Sequence, residues 1–253
     1  MIKLKKLIIL AFTFALALSF SGCFFVESGN GSYNGGGGSN TVKITLHDGS
    51  YAKSFDVEVG SQAKIDELTK MGYYSTGYYT STEGGEQYFD ASGTSLSTWS
   101  SNYPTDFYVQ YLPIEEFSKK AVFYSSNAKE FSYYEGAIVK LDPQFANAMK
   151  ANLNKTLNVY TYFSAYDTKA EDWVVYYKNV AKYNEGSMTK DKIASQYYGY
   201  IIDVPSNYTN FSYSCNIPIS KISNGDCLAF LYSRGANVGK GYIKNLTINI
   251  TIS

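Results

Sequence analysis

The 253 residues carry 22 basic and 22 acidic side chains, so there is no positive field of the kind that holds nucleic acid by counterion release. A single histidine, His47, rules out a histidine triad and a multi-histidine zinc site. No acidic run has the tight Asp-x-Asp-x-Asn/Asp-Gly spacing of a calcium loop. What the chain has in excess is aromatic: 26 Tyr and 15 Phe, residues that suit a half-buried pleated surface.

The first 22 residues read as an export signal. Met1 to Lys6 is a basic segment, Leu7 to Phe20 an uncharged apolar run, and Ser21-Gly22 stand before Cys23. As a helix the 14-residue run measures about 21 Å, short of the roughly 30 Å hydrocarbon core. Small residues in front of a cysteine make the segment similar to a bacterial lipoprotein signal. That resemblance implies cleavage before Cys23, lipidation of Cys23, and a membrane partner reached through the lipid. Loss of Lys3, Lys5 and Lys6 with the signal leaves 19 basic against 22 acidic residues, a net charge of −3. No polybasic run is present to assist membrane binding, so the lipid has to anchor the chain by itself. Phe24, where an Asp would often retain a lipoprotein at the inner membrane, favours the outer membrane or cell surface.

Residues 23–40 form a Gly/Ser/Asn-rich tether containing Gly35-Gly36-Gly37-Gly38-Ser39. Its 18 residues reach about 20–25 Å on average as a flexible coil. A first folded unit is expected over 41–113. Val42, Ile44 and Leu46 alternate with polar residues, the chain turns at His47-Asp48-Gly49, and Phe55, Val57 and Val59 alternate again, which makes a hairpin. Ala63–Met71 reads as a short helix-like crossing with Ile65 and Leu68 inward. Tyr73–Thr80 and Phe107–Tyr111 read as strands around the loop Glu83-Gly84-Gly85-Glu86. His47 itself is expected as a solvent-facing turn residue.

These residues carry a resemblance. Val42-Lys43-Ile44-Thr45-Leu46-His47-Asp48-Gly49, the core Gly72-Tyr73-Tyr74-Ser75-Thr76-Gly77-Tyr78-Tyr79, and the closing Phe107-Tyr108-Val109-Gln110-Tyr111 are similar to the internalin-type B repeat (Listeria–Bacteroides repeat). Tyr78 and Tyr111 stand where that family usually has Trp. The resemblance implies a β-grasp-like module of bacterial surface proteins, used as a stalk or binding unit, with no catalytic constellation.

Residues 114–253 read as a second β domain. Candidate strands are Ala121–Tyr124, Lys129–Tyr134, Ala137–Leu141, Thr156–Phe163, Asp172–Tyr177, Tyr197–Val204, Asn210–Ile217, Cys227–Tyr232 and Tyr242–Ile252. Asp142-Pro143 opens one short helix, the acid at the N-cap and the proline at N1, with Phe145 and Met149 on one side. So many short strands with turn signals between them predict a jelly-roll-like β-sandwich. The fold class is therefore all-β, a β-grasp-like B-repeat module followed by a jelly-roll-like sandwich with one helix. The closing segments Cys215–Ile222, Leu228–Tyr232 and Gly241–Ile248 are similar to the last strands of galactose-binding-like jelly rolls. Lys244 occupies a position where those modules often place an Asp, which leaves a structural calcium open.

Asn224-Gly225 is a hairpin signal. A two-residue loop there pairs Cys227 with Ile222 and sets Cys215 opposite Arg234, on the other face of the ribbon, against a disulfide. A longer connection would change that register. Gly235 to Gly241 lacks the spacing and the Ser/Thr of a phosphate loop. Glu115-Glu116 and Glu171-Asp172 are adjacent acids that point to opposite faces of a strand, a poor glycosidase pair.

No catalytic residue, cofactor or metal ligand is expected, and the chain reads as non-enzymatic. The positive signal is aromatic crowding at Tyr133, Tyr134, Trp173, Tyr176, Tyr177, Tyr197 and Tyr198. Flat rings stack on sugar faces and a phenol adds a polar handle. In each doublet one ring is expected inward and one outward. The expected function is non-catalytic binding or adhesion at the cell surface, with glycan or host/matrix protein as ligand. Two alternatives stand behind it, a structural subunit of a surface assembly and a carboxylate-based glycoside hydrolase.

Overall fold

The computed structural model describes residues 40–125, 127–131, 135–180, 198–222, 225, 227–234 and 239–253. The signal, Cys23 and the tether lie outside the described residues. Ser39–Ser253 packs as one compact unit, almost entirely of β structure.

The N-terminal half of that unit is a seven-stranded sheet. Its strands are β1 (Thr41–Asp48), β2 (Tyr51–Glu58), β3 (Gln62–Lys64), β4 (Tyr73–Tyr79), β5 (Gln87–Phe89), β6 (Thr94–Thr98) and β7 (Asp106–Pro113), in the order β2-β1-β7-β4-β5-β6-β3. β1 and β2 form the expected hairpin, with Asp48 opposite Tyr51 and Gly49 at φ +58° between them. That left-handed backbone is one glycine adopts without steric cost. β1 then pairs in parallel with β7, which gives the sheet its β-grasp-like centre. Ile44, Leu46, Val57, Tyr78, Phe89, Trp99 and Phe107 make its core. Tyr78 is fully buried there, and Tyr111 is half-buried.

The expected helical crossing over Ala63–Met71 is absent. β3 is followed by a non-helical stretch at 65–70, although Ile65 is buried and Leu68 half-buried as predicted. The backbone donors of this segment go instead to distant acceptors. Ala63 N–H donates to Ser95 Oγ at 2.9 Å, Ile65 N–H to the Gly93 carbonyl at 2.8 Å, and Leu68 N–H to Tyr78 Oη at 2.8 Å. His47 is also less free than a turn residue. It is the penultimate residue of β1, its Nε2 lies 2.8 Å from Asp106 Oδ1, and its ring stacks on Tyr108 at 4.8 Å, so it closes the parallel seam. That contact holds the Asp106 carboxyl below the usual carboxylate range.

The C-terminal half is a sandwich. Its strands are β8 (Ser118–Phe123), β9 (Lys129–Phe131), β10 (Glu135–Lys140), β11 (Thr156–Asp167), β12 (Glu171–Val180), β13 (Tyr198–Val204), β14 (Thr209–Pro218), β15 (Cys227–Arg234) and β16 (Gly241–Ile252), with α1 (Pro143–Ala151) between β10 and β11. One sheet runs β10-β15-β12-β13 and the other β14-β11-β16-β8, with β9 on the end of β16. Successive strands mostly change sheet, in the jelly-roll manner. Leu246, Ile248, Ile250 and Ile252 all face the core, as their alternation predicts. Asn224 lies outside the described residues, and β14 and β15 do not pair as the expected hairpin. β14 ends in a 3-10 turn at Ile219–Lys221, and β15 belongs to the other sheet. Cys215 and Cys227 are not bonded to each other; Cys227 Sγ donates to the Val180 carbonyl at 3.1 Å, and burial raises the Cys215 pKa to about 11.

α1 begins as expected, with Asp142 Oδ1 accepting from Phe145 N–H at 2.9 Å and Pro143 at the first turn. Two buried asparagines of this segment join the halves. Asn147 Oδ1 accepts from Ser75 N–H at 2.8 Å while its Nδ2 donates to the Leu68 carbonyl at 2.9 Å. Asn152 Oδ1 accepts from Gly72 N–H at 2.9 Å and its Nδ2 donates to the Tyr73 carbonyl at 2.9 Å. Tyr74 and Ile114 enter the sandwich core alongside. The segments 41–113 and 114–253 therefore each own their sheets but share a buried polar seam. Asn147→Ala would leave Ser75 N–H unsatisfied inside it. We expect a loss of about 1–3 kcal/mol, read as a lower urea midpoint for the full chain.

Candidate functional site

The sequence of β11, Thr-Leu-Asn-Val-Tyr-Thr-Tyr-Phe-Ser-Ala-Tyr-Asp, divides by parity. Leu157, Val159, Thr161, Phe163 and Ala165 are buried between the sheets. Asn158, Tyr160, Tyr162 and Tyr166 are therefore on the outer face, where Tyr160 is 45% and Tyr162 36% exposed. β11 is paired on both sides, so each outward ring has polar neighbours. Tyr160 lies between Ser214 of β14 and Asn249 of β16, and Tyr162 between Ser212 and Thr247. Lys120 of β8 follows Asn249 in the same row.

A bulge extends this face. Between the pairs Tyr162–Thr247 and Ser164–Lys244, β16 contributes one residue more than β11, and Asn245 there takes φ +53°. Asn is one of the few side chains that visits this region readily. Without the extra residue, strict alternation would turn Ile243 outward and Tyr242 and Lys244 into the core. With it, Ile243 is fully buried and the other two stay outside.

An aromatic ladder results at this end. Tyr166 stacks on Tyr242 at 4.6 Å and 8° and meets Tyr208 edge-on at 4.5 Å. Lys244 Nζ sits 3.8 Å over the Tyr208 ring, which is 39% exposed. Tyr242 donates its hydroxyl to Glu130 Oε2 at 3.0 Å, and Lys240 lies 3.1 Å from Glu130 Oε1. The bond to Glu130 raises the Tyr242 pKa, and burial followed by the neighbouring Tyr166 raises that of Tyr208. Both phenols stay neutral at physiological pH. The face thus offers exposed ring surfaces about 7 Å apart at Tyr160 and Tyr162, flanked by hydroxyls and amides. It can stack and hydrogen-bond a flat polyhydroxylated molecule, and it has no nucleophile with a base beside it.

The described residues among those expected as the platform lie elsewhere. Trp173 is fully buried, its Nε1 donating to Asp167 Oδ2 at 3.2 Å and its ring 4.5 Å from Phe131. Gly241 makes room for this pair, because a Cβ there would lie 2.6 Å from Phe131 and 3.1 Å from Trp173. Tyr177 is buried in the core with its hydroxyl 2.6 Å from Thr161 Oγ1, and Tyr176 points to the opposite face, as alternation requires. Tyr176 is nonetheless buried there, beside Ala229 and Leu231, so the expectation that it faces solvent is corrected. β12 is an interior strand of its sheet, and buried rings lie on both of its faces. Tyr198 packs half-buried against the core, and Tyr133, Tyr134 and Tyr197 lie outside the described residues. The signal that separates the two cases was present. Polar residues accompany the tyrosines of β11 on one face, whereas Trp173 and Val175 share theirs with Tyr177.

Among the described residues no group of three His, Cys, Asp or Glu side chains could hold a metal ion. Where an Asp is common in galactose-binding-like modules, Lys244 presents a cation to Tyr208. Glu115 is exposed 3.9 Å from Lys155, and Glu171 and Asp172 alternate across β12.

No family profile matches the chain, and no curated protein matches it significantly. Among solved structures it is similar to a chain of infectious bursal disease virus, Gx strain, with a TM-score of 0.30 and 10% identity over 81% of this chain and 63% of the other. It is also similar to the PRD1 vertex protein P5, with a TM-score of 0.23 and 12% identity over 87% of this chain and 84% of the other. The chain thus spans less than two thirds of the bursal disease virus chain. Likeness at this level says nothing about activity, ligand or partner.

Trp173→Ala should act on folding. Emptying this ring from the core costs about 3–5 kcal/mol, and thermal unfolding of the variant should move down by many degrees.

Proposed function

We propose that this chain is a non-catalytic glycan-binding protein of the cell surface, and that the outer face of the sheet β14-β11-β16-β8 is its binding surface. One observation carries the reading: exposed tyrosine rings in a row along β11, bordered by serine, threonine and asparagine side chains. Ring faces match the apolar faces of pyranoses, and the bordering groups both donate and accept hydrogen bonds. In this reading the N-terminal segment is a lipoprotein signal, lipid on Cys23 holds the chain at the outer membrane or cell surface, and the tether lifts the head from it. The seven-stranded sheet serves as a B-repeat-like spacer. The assembly-subunit alternative has less behind it, since the edge strand β2 displays Lys53, Asp56 and Glu58, charges that keep an edge unpaired.

The test is a glycan-array screen of the full chain beside Tyr160→Ala and Tyr162→Ala. Each substitution should weaken binding by roughly 2- to 12-fold, from about 0.5–1.5 kcal/mol per aromatic contact. Neither should lower the unfolding temperature, because both rings lie outside the core. Binding that both variants retain in full would move the site off this face.

A further inference from the structure

We propose that the glycan taken by this face is an anionic polysaccharide. The inference rests on the reading of the face as a glycan-binding surface and narrows its ligand class. The face has a charge of its own. No outward position of β8, β11, β14 or β16 carries Asp or Glu, although acids outnumber bases by 22 to 19 after residue 22. Two lysines do point outward. Lys120 is exposed in the row of Asn249 and Tyr160, and Lys244 stands over Tyr208 beside Ser164. Among the described residues neither has a carboxylate within ion-pair distance. At the rim, Glu130 is matched by Lys240 and Glu115 lies 3.9 Å from Lys155.

A cation held over a ring and left without a counter-ion keeps its charge for an incoming group. The two lysines stem from separate rows of the face. Their rows cross β11 at Tyr160 and Ser164, four residues and about 13 Å apart along the strand. A chain with repeated negative charges meets both while its rings pass over Tyr160 and Tyr162. Lysine suits such a ligand, since a point charge on a flexible stem accepts carboxylate or sulfate without demanding one fork geometry.

Two polymer pairs distinguish the source of charge: polygalacturonate against its methyl ester, and dextran sulfate against dextran. Each is titrated by calorimetry into the full chain at low salt and again in 0.5 M NaCl. The proposal expects at least one charged polymer to bind more tightly than its neutral parent, with binding weakened by salt. The double variant Lys120→Gln/Lys244→Gln should lose about 2- to 30-fold in affinity for it, the range two exposed ion pairs supply. Lys43→Gln/Lys53→Gln makes the same charge change on the β1–β2 hairpin and should bind as the parent does. Equal loss in both double variants would show a general charge effect and overturn the site. Neutral polymers bound as well as charged ones, with the lysine variants silent, would overturn the anionic ligand and leave the glycan reading standing. Folded protein that binds none of the four polymers and no glycan on the array would remove both.

Discussion

The outward face depends on β11 being paired on both sides. Its register against β14 and β16 is fixed by ten partners on each side, and a slip of one residue on either side would drive Tyr160 and Tyr162 inward and Val159 and Phe163 out. The apolar cost of that exchange is what pins the tyrosines in water. Their positions are therefore a by-product of the core, held by burial of residues that no ligand touches. The bulge at Asn245 is the one departure from regular alternation in β16, and it recovers for Tyr242 and Lys244 the face that strict alternation would deny them.

Stiffness comes from α1. Side-chain amides at Asn147 and Asn152 replace strand-to-strand contacts where β4 meets the sandwich, and each satisfies backbone groups that would otherwise be orphaned in a buried seam. The seven-stranded sheet and the sandwich are thereby packed into one compact unit.

Strand positions were legible because alternation and turn chemistry are local. The helix cap at Asp142-Pro143 and the β1–β2 hairpin were read for the same reason. Sheet membership was not legible. Asn224-Gly225 looks like a hairpin, but β14 and β15 each complete a different sheet, and nothing within ten residues encodes that choice. The crossing at Ala63–Met71 has helical spacing, yet Ser95, Gly93 and Tyr78, which take its donors, are remote in sequence. The described residues of the expected platform show the same limit. Trp173 and Tyr177 look like a platform by composition, and only the second sheet packed over β12 turns them into core. The tyrosines of β11 were in plain view as a strand, and their exposure follows from the polar residues that β14 and β16 bring alongside.

A ligand that covers the β11 face would shield its tyrosines from reagents in solution. Tyrosine nitration of the full chain, mapped by mass spectrometry with and without polygalacturonate or the best array ligand, tests it directly. Tyr160, Tyr162 and Tyr208 should react in the free protein and be shielded by ligand. Tyr51 and Tyr200, exposed on β2 and β13, should react in both. Shielding of Tyr51 or Tyr200, with Tyr160 and Tyr162 still reactive, would contradict it.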